Sequence, residues 1–187
     1  MKTIKLFSFF ALSALIFSSC SSDDDGAPQV INEEEVITTM TVTLTSNGTT
    51  KTMKITDSDG DGPLDPVLKV DALDANTTYN GTIEFLNELE DPADNITLEV
   101  AEEDDEHQVF YVPSPELQAT IVYNDSDANG DPVGLDFTLT TGDASSGTLN
   151  VKLIHLPAKD AAGVSEGNPA NAGGETDVEA FFDVDIL

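Results

Sequence analysis

The chain has 187 residues, and its 36 acidic residues against seven basic ones leave a formal net charge of −29, with 39% hydrophobic residues, no tryptophan and a single cysteine. Charge of this sign repels nucleic-acid phosphates and anionic membrane surfaces and attracts divalent cations, so no nucleic-acid partner is expected. One cysteine excludes an intramolecular disulfide.

Residues 1–19 begin with Lys2 and Lys5, continue through an apolar run over 6–17 and end in Ser18 and Ser19 before Cys20. That order is the pattern of a secretory signal peptide, and the apolar run is well short of the roughly twenty residues a spanning helix needs. Ile16, Phe17, Ser18, Ser19 and Cys20 resemble the lipobox of bacterial lipoproteins, which implies lipidation of Cys20 and attachment to a membrane through that lipid. Ser21, Ser22, Asp23, Asp24 and Asp25 resemble the lipoprotein export signal of the Bacteroidota, which implies the outer face of the outer membrane and so the cell surface. Cleavage before Cys20 removes two lysines and no acid, taking the charge to 5 − 36 = −31.

Residues 20–35 are acidic, contain Gly26 and Pro28 and lack an apolar period, so they read as a lipidated tether. From residue 36 to 187 threonine, valine and isoleucine alternate, the signature of half-buried strands. Strands are expected at 36–44, 51–56, 66–72, 81–86, 107–112, 119–123, 134–141, 147–155 and 178–186, each bounded by Gly, Asn, Asp or Pro. Nine short strands with frequent turns predict an all-β domain, an antiparallel sandwich or barrel. In the last strand Val178, Ala180, Phe182, Val184 and Ile186 are expected to point inward. One short helix is expected between Asp94 and Glu106, with Asp94 as cap and Ile96 and Val100 on one face; the five acids 102–106 oppose the helix dipole at its carbonyl end. Two stretches share the order strand, acidic turn, strand, glycine turn, strand: one from 51 through Gly81, the other from 119 through Gly147. This suggests an internal duplication.

The two acidic turns carry the strongest chemical signal. Calcium takes six to eight hard oxygens, and D-x-D-x-[DN]-G brings three side chains toward one point while the glycine allows the sharp turn. Asp57, Asp59, Asp61 and Asp65 fit positions one, three, five and nine of such a loop, with Gly62 at six. Asp125, Asp127 and Asn129 fit one, three and five of the second, with Gly130 at six and Asp136 at twelve; the first has Leu68 at twelve. The helical calcium hand closes its shell with a bidentate glutamate at that position, so both loops depart from it. The same residues also serve as plain hairpin turns.

His107 and His155 are the only two histidines, and a transition-metal site would need both, with carboxylates such as Glu103, Asp104 and Glu106. Gly163, Val164, Ser165, Glu166 and Gly167 match G-x-S-x-G, but Ser165 falls in a Gly/Ala-rich loop over 158–177 after both histidines, the wrong context for a nucleophile elbow, and no enzyme is expected. A loop that long without regular structure suggests binding or disorder. Without tryptophan, aromatic stacking on a sugar would fall to Tyr79, Tyr111 or Tyr123.

Glu33 to Thr39 (EEEVITT), Leu86 to Pro92 (LNELEDP), Asp105 to Gln108 (DEHQ) and Asn171 to Asp177 (NAGGETD) resemble a family of flavobacterial surface lipoproteins catalogued as "type 1 periplasmic binding fold superfamily protein". The resemblance implies location and family. The two α/β lobes its label names do not fit 168 residues after cleavage with at most one helix. The expected function is a surface-exposed, non-catalytic binding module, calcium-supported, for an unknown small-molecule or protein ligand. The alternative is a capture lipoprotein that delivers a small solute or divalent metal to a TonB-dependent outer-membrane transporter.

Overall fold

A computed structural model describes residues 35–60 and 63–187. The signal peptide, Cys20, nearly all of the tether, and Asp61 with Gly62 lie outside the described residues. No helix among the described residues is long and apolar enough to cross a membrane.

Among the described residues, nine strands form two antiparallel sheets. They are β1 (Thr39–Ser46), β2 (Thr49–Thr56), β3 (Val67–Val70), β4 (Thr78–Leu86), β5 (His107–Pro113), β6 (Ala119–Tyr123), β7 (Asp136–Thr141), β8 (Ser145–His155) and β9 (Glu175–Ile186). The first sheet has the order β3-β2-β1-β4-β7-β6 and the second β5-β8-β9. The expected all-β class and strand number hold, with boundaries shifted by a few residues. Residues 36–38 precede β1, and β9 begins three residues early.

Local chemistry accounts for several elements. Ser46 pairs with Thr49 across Asn47-Gly48, whose φ values of 49° and 78° make the two-residue turn that suits a twisted hairpin. Along β9 the alternation is followed closely: Ala180, Phe182, Val184 and Ile186 are buried, and Glu179, Asp183 and Asp185 face water. The helix α1 (Ile96–Glu102) is capped by Asn95, whose side chain accepts from the Thr97 N–H, and not by Asp94, whose backbone pairs with Asn87 instead. Ile96 and Val100, one turn apart, are its buried residues, and Thr97 Oγ1 ties it to Phe85 on β4. It stops at the start of the acidic run.

The inner faces of both sheets make one apolar core that includes Met40, Phe85, Phe137, Leu153 and Phe182. A second, smaller cluster lies outside the β5-β8-β9 sheet, where Val164 and Ala172 pack on Phe110 and Ile154. The long loop is therefore not free of structure, as the sequence suggested. It folds through turns and a short 3-10 helix (Pro169–Asn171), and the Gln108 amide donates to Val164 O to hold it down. Its apolar residues had a sheet face to cover.

The proposed duplication extends only to two strands. Each acidic turn joins neighbouring antiparallel strands, β2 to β3 and β6 to β7, at opposite edges of the larger sheet. The third strands diverge, since β4 pairs with β1 while β8 lies in the other sheet.

Candidate functional site: an acidic cleft beside a buried histidine pair

The second acidic turn satisfies itself. Asp125 accepts from the N–H groups of Gly134, Leu135 and Asp136 at 2.7–3.0 Å. Asp127 accepts from the N–H groups of Asn129 and Asp131, and Lys159 Nζ donates to it at 3.0 Å with the two side chains 6% and 1% exposed. Burial pushes the Asp127 carboxyl up, but Lys159 and the two N–H groups together outweigh it and hold it below its ordinary value. Asn129 is exposed, and Asp136 turns outward from β7 to accept from Asn124. The structure does not gather Asp125, Asp127 and Asp136 into one cluster of ligand atoms. A lysine ammonium, 32 residues further along the chain, stands where the sequence suggested a calcium ion.

The first turn differs. Asp59 N–H donates to Asp57 Oδ1, and Leu64 N–H donates to Asp59 Oδ2, but Asp59 Oδ1 is buried without a hydrogen-bond partner. Asp65 is exposed. Asp57 and Gly60 line a cleft of about 290 Å³ together with Glu35, Val36, Ile37, Glu175, Thr176 and Asp177. Four carboxylates thus come from the start of the domain, the first acidic turn and the start of β9. Among the described residues no lysine pairs with Glu35, Asp57 or Glu175.

Glu35 also reaches the two histidines. In the antiparallel register of β5 and β8, His107 lies directly opposite His155, and β9 adds Glu175 beside His155. By alternation His107 shares the inner face with Val109 and Tyr111, so the pair sits at the end of the sandwich core. The two rings stack with centroids 4.6 Å apart and planes 10° from parallel. His107 Nε2 is 3.4 Å from Glu35 Oε1, and His155 Nε2 is 3.5 Å from Glu106 Oε2. His107 Nδ1 lies 3.2 Å from the Glu103 carbonyl oxygen. Glu99, on α1, has its carboxyl raised by burial and by the neighbouring charges of Glu35, Glu103 and Asp94.

The remaining candidates lie elsewhere. Tyr79 and Tyr111 are core residues whose hydroxyls donate to Asp74 and to Gly134 O, so neither offers a stacking platform; Tyr123 is half-buried and donates to Val109 O. Ser165 sits within turns, with no strand leading into it and no helix leaving it. Sequence reasoning missed Glu35, assigned to the tether, and Lys159, which carried no motif. No protein-family model, curated protein or solved structure matches this chain.

Proposed function

We propose that this chain is a surface-exposed outer-membrane lipoprotein, anchored through Cys20, that acts as a non-catalytic, calcium-supported binding module with the acidic cleft as its binding face. The observation that carries the reading is the convergence of Glu35, Asp57, Glu175 and Asp177 on one cleft; the same acidic turn holds Asp59, one of whose oxygens is buried without a partner. Carboxylates held together repel one another, and a hard divalent cation relieves that repulsion. A second reading, capture of a small solute or divalent metal for a TonB-dependent transporter, is favoured by the cleft's size, which suits an ion or a small molecule better than a protein loop. The location and the likeness to flavobacterial surface lipoproteins rest on the residues around Cys20 and on the quoted stretches alone.

Thermal melts test the cation. Calcium at a hundredfold excess over its Kd stabilises by about 2.7 kcal/mol, which for a domain of this size raises Tm by about 5–10 °C. Magnesium has a smaller effect, and potassium chloride at matched ionic strength controls for screening. Asp57→Asn with Asp59→Asn removes the response. Equal stabilisation of the double variant and the parent overturns the reading.

A further inference from the structure

The histidine pair goes beyond the calcium reading, because imidazole nitrogen is a poor partner for calcium and a good one for zinc, copper and nickel. Both rings are almost fully buried, and neither Nε2 atom has a hydrogen-bond partner. Glu35 Oε2 is also buried without one. Burying polar atoms in this state is costly unless something pairs them.

The orientation of His107 shows what kind of partner is required. A carbonyl oxygen only accepts, so the Nδ1 facing Glu103 O carries the hydrogen, and a ring without a second proton presents its Nε2 lone pair. That lone pair faces a carboxylate oxygen of Glu35 at 3.4 Å. His155 Nε2 lies 3.5 Å from Glu106 Oε2. Two electron-rich atoms at this distance repel until a cation lies between them. Ligand atoms around a tetrahedral zinc, with bonds of about 2.0–2.1 Å, sit about 3.3 Å from one another. One ligand atom from each of Glu35, His107 and His155 lies within 4.8 Å of the other two; because the rings now stack nearly parallel, binding requires one of them to rotate until both in-plane lone pairs meet at the ion.

We propose that Glu35, His107 and His155 form a binding site for a divalent transition-metal ion of the zinc class, with a fourth position left to water or an exogenous ligand and the Glu103 carbonyl as the group that orients His107. Such an ion ties the segment that leads into β1 to β5 and β8. Its two histidines come from strand ends, where the backbone is already fixed. Asp57 and Asp59 take no part in it. The competing occupant is a proton, which would turn one ring into an imidazolium paired with its glutamate.

The test uses the purified full chain, stripped of metal by a chelator and titrated with zinc chloride by calorimetry. One zinc per chain is expected, and bound cobalt is expected to show the intense visible absorption of a four-coordinate ion. His107→Ala and His155→Ala each abolish both signals, Glu35→Gln weakens binding at least about tenfold, and calcium in large excess leaves zinc bound. The Asp57→Asn with Asp59→Asn variant keeps its zinc, so failure of the calcium reading and failure of this one are distinguishable. Should either alanine variant fail to fold, imidazole ¹⁵N shifts of the parent chain give the answer: both histidines move on addition of zinc. Absence of stoichiometric zinc binding by the parent chain, or unmoved histidine resonances, overturns the site.

Discussion

Replacing Lys159 with methionine tests whether the second acidic turn is held by an internal cation. The substitution keeps most of the side-chain volume and removes the ammonium that donates to Asp127 and to the Asp104 carbonyl. Asp127 retains two backbone donors but becomes a buried carboxylate with no opposing charge. Breaking a buried pair on one side costs about 3–5 kcal/mol, and the retained N–H bonds put Lys159→Met near the lower end. At about 2–4 °C per kcal/mol, Tm falls by roughly 6–12 °C. The effect depends on pH with a definite sign. Because the folded-state value of Asp127 is lowered, its contribution is full above the unfolded carboxylate range and is lost as pH falls through the folded value. The gap between parent and variant therefore closes in acid. Urea denaturation of both chains across the acid range measures it. A penalty below about 1 kcal/mol at neutral pH, typical of exposed pairs, would refute the internal-cation account.

Two further outcomes are expected. A Cβ on Gly81 would lie 2.5 Å from the Phe137 ring, which covers that glycine across the β4-β7 pair, so Gly81→Ala destabilises by about 1–3 kcal/mol in chemical denaturation. An unchanged midpoint would mean the ring moves aside freely. Burial raises the folded-state values of all three tyrosines, Tyr123 to about 12. The stability they contribute is thus complete below the unfolded value near 10 and is lost as pH rises through the folded values. Ultraviolet titration is expected to show tyrosinate appearing together with loss of the β-sheet circular-dichroism signal; full ionisation of native protein near pH 10 contradicts this.

Much of the fold was legible along the chain because its signals are local. Alternation in β9 marked its inward residues, and the spacing of Ile96 and Val100 marked the face of α1. These follow from the period of two in a strand and 3.6 in a helix. The acidic turns were visible for the same reason, as were the two histidines as a pair that would have to meet. What the turns hold was not visible, because a carboxylate's partner is chosen by packing. Asp127 found Lys159 from a loop that had to cover Phe110 and Ile154, whereas Asp59 kept one oxygen without a partner. The meeting of His107 with His155 depended on the β5-β8 register, and that of Glu35 with His107 on the segment before β1 running past the end of the second sheet. Registers and crossings between sheets join residues tens of positions apart, and no local period encodes them. The sequence by itself determined the strands, the turns and the excess of negative charge; only the tertiary structure decided which carboxylates are neutralised from within and which converge, with two imidazoles, at one end of the sandwich.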